Sequence, residues 1–350
     1  MSARSTGQIQ ATPDPAKREE LPNEVPGASG RQPIRIAYGH LLDWIGRNIA
    51  LAIFLALVVL ACLFVNNFAD VNNAVVILKQ SAIPAVAVIG MTMVLMTGGI
   101  DLSLGYMVGL ASIAAGLMVN TWLWPTPLAL AAVLALGLLL GLCNGLITQF
   151  MRVPAFIATL GSGYVFYGVA QIISQGSIIN RLPKSFLAIG RTPIFGLPSA
   201  VFLALGVGVA FHLLISRTLF GRQLKAFGLG PRAAALSGVP CARINVSVYA
   251  CSGALAALAG LLFTIRVNAA QPNMGGGAFT FEVVTAAIVG GASLFGGVGS
   301  VANSILGVLS IKIIENCINL TGVSYHLYLA VQGAIILVAI VMGNLTSRRT

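Results

Sequence analysis

Six residues, Gly98-Gly99-Ile100-Asp101-Leu102-Ser103, put a carboxylate and two glycines between two long apolar runs, about Ala74–Thr97 and Leu104–Asn120. A charge at the centre of a bilayer costs roughly 2.5–3.5 kcal/mol on insertion scales, so such a group belongs where protein or water shields it. The segment therefore reads as a break between two membrane helices that faces a protein interior or an aqueous path. Asp101 either lines a conduit or caps the following helix through Ser103 and backbone donors. Glu282 is a second acid in an apolar setting, placed at an outer boundary, where it meets a gate or a docking protein or is simply solvated. Tyr164, Tyr167 and Gln171, with Phe166 beside them, lie on one predicted helix. Aromatic faces and amides suit a ligand that offers C–H faces and hydroxyls; helix packing is the alternative for each. Asn268, Gln271 and Asn273 follow a later span and form either part of an outer mouth or a plain hydrophilic loop.

These residues need a scaffold, and composition sets its class. The chain has 350 residues, is 57% hydrophobic and only 8% charged, with a mean hydropathy of +0.92. Soluble domains are about 25% charged, so this is an all-α, polytopic membrane protein. Apolar blocks near the ~20 residues of a spanning helix give about ten spans: Ile49–Val65, Ala74–Thr97, Ser103–Asn120, Leu128–Phe150, Ala155–Ser174, Ala200–Ile215, Asn245–Thr264, Phe281–Ser293, Val298–Ile318 and Leu327–Met342. The eighth is too short to cross regularly and is expected to be a half-helix turning at Gly290-Gly291. Broken backbone at membrane depth is tolerated only inside protein or beside a water-filled cavity, so both breaks point inward. They echo one another weakly, as paired glycines after an apolar run, which suits an internal repeat or arises by chance. Gly137, Gly141 and Gly145, and separately Gly105 and Gly109, recur at four-residue spacing and predict close helix packing.

Residues 1–33, rich in Pro, Gly, Ser and charge, are expected to be a disordered tail. Ile34, Tyr38, Leu41, Leu42 and Ile45 recur at helical spacing and predict an interfacial helix over 34–47, or an extension of the first span. The membrane domain then covers 48–344, with a short tail at 345–350. The net charge of +11 does not imply nucleic acid, because the basic residues sit at membrane boundaries rather than on a basic module. With the N-terminus inside, fourteen of the 20 Lys and Arg fall on the inner side and five outside, with Lys312 within a span. That bias predicts cytosolic termini.

Catalysis has little support. No G-x-x-x-x-G-K-[ST] occurs, and Gly297-Val298-Gly299-Ser300-Val301-Ala302 lacks the soluble strand of a dinucleotide fold. The five cysteines form no C-x-x-C, and the three histidines are scattered, so neither disulfides nor a metal site is expected. The longest basic inner loop, 216–243, contains Arg232-Ala233-Ala234-Ala235-Leu236, read as a short helix opened by Pro231 and closed by Gly238. Such a helix suits a groove on a soluble partner; an ordinary charged loop is the alternative.

Three motifs in order, GGIDLSLG (Gly98–Gly105), AFGLGPRAAALSGV (Ala226–Val239) and FEVVTAAIVGGASLFGGVGS (Phe281–Ser300), resemble the permease subunits of ribose/xylose-type bacterial ABC sugar importers. The resemblance covers about Arg47 to Met342. Branched-chain amino-acid permeases are a more distant likeness of comparable architecture. The resemblance implies an inner-membrane permease, paired with a second permease copy, two cytosolic ATP-binding subunits that hold ATP–Mg, and a periplasmic sugar-binding protein; no cofactor is implied on this chain. It also implies that Gly228, Pro231, Arg232, Ala233, Ala234, Ala235, Leu236 and Gly238 form the ATPase-coupling segment, and that Asp101 and Ser103 match the broken-helix motif. Two departures stand out: Gly228-Leu229-Gly230 replaces a usual Gly-Gly-Asn, and Thr280-Phe281-Glu282 replaces a frequent Glu-x-Asp. An ion-coupled secondary transporter, with Asp101 and Glu282 as carriers, and a non-transporting scaffold are the rival expectations.

Overall fold

The computed structural model describes residues 48–151, 153–322, 329–334 and 337. The expected tail and interfacial helix before residue 48 lie outside them, as do the final tail and most of the tenth span. The described helices are α1 (Ile49–Phe64), α2 (Val71–Met96), α3 (Leu104–Gly116, prolonged by a wider turn over Leu117–Thr121), α4 (Thr126–Phe150), α5 (Ala155–Ser174), α6 (Lys184–Arg191), α7 (Ser199–Arg217), α8 (Leu219–Leu229), α9 (Pro231–Leu236), α10 (Cys241–Val267), α11 (Gly276–Val289) and α12 (Val301–Leu320). Two-residue strands add little: β1 (Ile179–Asn180) pairs antiparallel with β4 (Ala269–Ala270), and β2 (Pro193–Ile194) with β3 (Leu197–Pro198).

The fold class is all-α and polytopic. Seven of these helices are long and apolar enough to cross a membrane, while α1 and α11 are shorter apolar helices. In hydrocarbon a helix satisfies its own peptide groups, which is why apolar sequence of this length takes that form. At 1.5 Å per residue the 26 residues of α2 span about 39 Å, enough for the apolar core and part of each interface. The expected spans coincide with helices α1–α5, α7 and α10–α12 to within about five residues at their ends.

Helices α2, α3 and α10 are the most deeply buried, and α4, α5 and α7 leave most of their surface open. The core is made of Val86–Val88, Met91, Met93–Met96, Met107 and Val108 with Val248, Tyr249, Ala256 and Ala259. Polar pairs pin this core across helices. The Asn73 and Asn316 side chains exchange two amide hydrogen bonds at 3.0 and 2.8 Å, joining α2 to α12. The Thr92 and Ser304 hydroxyls, 2.8 Å apart, repeat that link lower on the same two helices. Thr264 and Ser112 hydroxyls, 2.6 Å apart, join α10 to α3.

The glycine stripe of α4 packs on α10. A Cβ at Gly141 would overlap the Tyr249 carbonyl, and one at Gly137 would overlap Gly253 and Ala257. Overpacking of such a contact costs about 1–3 kcal/mol. Gly141→Val is therefore expected to lower the melting temperature of the detergent-solubilised protein by several degrees. Gly161→Ala, where nothing lies within 4 Å of the added carbon, is expected not to lower it; equal melting for the two variants would contradict this packing.

Candidate translocation and coupling site

The chain leaves α2 at Met96 and enters α3 at Leu104. Gly98 sits at φ +81°, a left-handed conformation open to glycine without a Cβ penalty. Asp101 is fully buried. Its Oδ1 accepts from the Ser103 amide at 3.0 Å and from the Ser103 hydroxyl at 2.5 Å, and its Oδ2 accepts from the Ser252 hydroxyl of α10 at 3.4 Å. The Asn144 side-chain amide of α4 donates to Ser103 Oγ at 2.8 Å. Asp101 and Ser103 thus tie the break to α4 and α10. Two further donors at the start of α3 are met from other helices. The Leu102 amide donates to Thr159 Oγ1 of α5 at 3.0 Å, and the Gly105 amide to Thr280 Oγ1 of α11 at 2.9 Å. Asp101 thus closes its own turn, while Thr159 and Thr280 each accept one amide at the start of α3; nothing in the sequence marked Thr159, and Thr280 stood out only as part of the Thr280-Phe281-Glu282 departure. Tyr249 stands beside the break, its buried hydroxyl close to where a Gly99 side chain would begin.

The second break follows α11. Gly291 sits at φ +86°, and the loop through Ser300 returns to the first break: the Gly297 amide donates to the Met96 carbonyl at 2.9 Å. Gly228, in the last turn of α8, lies against both, since a Cβ there would overlap the Met96 carbonyl and the Gly297 backbone. The two breaks and the end of α8 meet in one contact.

The segment 216–243 is more ordered than the expected loop. Helix α8 precedes α9 and buries Gly221, Leu224 and Phe227. Phe220, Leu224 and Phe227 recur at helical spacing, a signal that could have found this helix. In α9, Pro231 opens the helix and Gly238, at φ +82°, follows its end. Arg232, Ala233, Ala235 and Leu236 are exposed, Leu236 by 91%, but Ala234 turns inward and is buried.

The tyrosines of α5 form a group. Tyr164, Tyr167 and Gln171 share one helix face, and the Gln171 amide donates to the Tyr167 hydroxyl at 2.7 Å. Tyr106 of α3, also missed from sequence, joins them with ring centroids 5.5 Å from Tyr164 and 5.9 Å from Tyr167. Phe166 instead points into the core. Asn268 and Gln271 lie on the connection from α10 to α11, where the Gln271 backbone amide donates to Ser112 Oγ at 3.3 Å.

Of the alternatives for Glu282, the structure speaks only to the solvated one. Glu282 is not a solvated boundary acid: the Lys312 ammonium lies 2.7 Å from Glu282 and 2.7 Å from Glu315, joining α11 to α12. Lys312, set aside as a residue within a span, supplies the reason both acids tolerate that depth.

A family described as branched-chain amino acid transport system / permease component matches residues 73–340. The chain belongs to this permease family. The permease is 33% identical to the ribose import permease protein of Escherichia coli (strain K12), over 86% of this chain and 94% of that protein. It is 34% identical to that of Bacillus subtilis (strain 168), over 89% and 95%, and 32% identical to the L-arabinose transport system permease protein of Escherichia coli (strain K12), over 90% and 95%. No solved structure matches the permease significantly.

The Asp101 turn makes a clear expectation. Asp101→Asn keeps an acceptor for the Ser103 donors and should leave the permease's melting temperature within a few degrees of wild type. Asp101→Leu removes the acceptor of three buried donors, the Ser103 amide and the Ser103 and Ser252 hydroxyls, at about 1–3 kcal/mol for each left unpaired, and should lower it strongly. Equal melting of the two variants would show that the break does not depend on these bonds.

Proposed function

We propose that this chain is the membrane subunit of an ATP-driven importer that moves a monosaccharide or similar small polyol across the bacterial inner membrane. The observation that carries the reading is the likeness, over more than four-fifths of the chain, to proteins named as ribose and L-arabinose permeases. The family match over residues 73–340 supports the permease role itself. ATP–Mg is held by separate cytosolic subunits, and a periplasmic binding protein delivers the sugar; no cofactor resides on this chain. A second permease copy completes the pathway, and both termini face the cytosol.

Within this scheme the exposed face of α9 receives the ATPase. Movement there reaches α8, whose Gly228 rests on both helix breaks. The faces of Tyr106, Tyr164 and Tyr167, with the Gln171 amide beside them, offer stacking surfaces and a polar group to the passing sugar. Tyr164 is 61% exposed, as a residue facing a path requires. Asn268 and Gln271 belong to the outer mouth. The ion-coupled alternative finds less support, because Asp101 is engaged by Ser103 and Ser252 and Glu282 by Lys312. An ATP-driven cycle requires each partner to bind the two conformations unequally.

Proteoliposomes carrying the permease with its ATPase and binding protein should take up sugar only with ATP inside; uptake by the permease alone on a proton or sodium gradient would reject the reading. Leu236→Asp should abolish co-purification with the ATPase while leaving the melting temperature unchanged. Tyr167→Ala should reduce ATP-driven uptake at least tenfold with the complex intact, and unaltered uptake would remove the tyrosines from the path.

A further inference from the structure

At the end of α10 remote from α9, a cleft of about 130 Å³ opens between α2, α6, α7 and α10. Three cations line it: Lys79, Arg191 and Arg266. Its walls are apolar, among them Ile83, Val201 and Leu262, and its lining has no carboxylate. Arg191 is held in place, donating to the carbonyls of Ile265 at 2.7 Å and Arg266 at 2.8 Å. Every salt bridge among the described residues belongs to Lys312. Glu282 and Glu315 act on Arg266 electrostatically, yet both are engaged by Lys312, so the neighbourhood holds more cation than anion. Lys79 lies eight residues into α2, about 12 Å along it, a depth from which a lysine stem reaches headgroup level. Val201 continues into an apolar strip on α7, where Leu205 and Val209 follow at four-residue spacing and are 62% and 51% exposed.

We propose that this cleft binds one anionic phospholipid, its phosphate held by Lys79, Arg191 and Arg266 and an acyl chain lying along Val201, Leu205 and Val209. Charge complementarity selects the headgroup and the strip selects the hydrocarbon, a combination that free phosphate does not supply. Basic pockets between membrane helices recognise headgroups in this way.

The test is native mass spectrometry of the full chain, delipidated and then given phosphatidylglycerol or phosphatidylcholine, with melting temperature read in parallel. The expected result is at least fivefold greater retention of phosphatidylglycerol and a rise in melting temperature with that lipid only. The double variant Lys79→Gln/Arg266→Gln should lose the preference, whereas Lys184→Gln, on α6 but outside the cleft, should keep it. Equal retention of the two lipids by the wild type would overturn the proposal without recourse to any variant. So would undiminished preference in the double variant. A melting shift of the same size from inorganic phosphate alone would also overturn it, by showing an anion site with no lipid character.

Discussion

A peptide group freed from its helix inside a bilayer has no water to bond, and among the described residues regular helix is interrupted within the apolar part of the chain at 97–103 and again after α11. Each break must therefore be answered by protein. The turn at residues 97–103 is answered by Asp101 and Ser103 from within and by Thr159, Thr280, Asn144 and Ser252 from four other helices. The loop after α11 is answered by the first break itself, through the Gly297 amide and the Met96 carbonyl. The helices around the breaks are thus cross-linked by the need to satisfy them. The close glycine contacts of α4 with α10 hold those partners within hydrogen-bonding reach.

The same constraint explains how the charged residues are distributed. Lys312 and Glu282 occupy facing helices because neither tolerates hydrocarbon alone, and Glu315 joins them one turn along α12. Read singly, Glu282 looks like a boundary acid; its partner is thirty residues away, on another helix. A carboxylate engaged in this way ties α11 to α12, whereas a free one would be available to carry an ion.

Much of the scaffold was legible in the sequence because membrane helices announce themselves by length and hydropathy. The broken segment at Gly98–Ser103, the short eighth helix and the Pro231–Gly238 turn were visible because glycine, proline and a lone acid are local signals. What was not legible depended on tertiary pairing. Ala234 reads like its neighbours in Ala233-Ala234-Ala235, and only the docking of α9 decides that it turns inward. Thr159 and Thr280 look like ordinary helix residues until the breaks they serve are placed beside them. Tyr106 sits in an apolar run and declares itself only when α3 meets α5. Helix α8 was present in the spacing of Phe220, Leu224 and Phe227, but its basic residues masked the amphipathic pattern.

The paired amides of Asn73 and Asn316, together with the hydroxyls of Thr92 and Ser304, fasten α2 to α12 at two levels. Two bolts fix a joint against rotation where one would leave a pivot. These two levels of bonding make α2 and α12 one strut, which meets α3 through the few residues that join α2 to it. Any change in the angle between α2 and α3 therefore has to break the bonds that Asp101, Ser103 and Thr159 make at their junction.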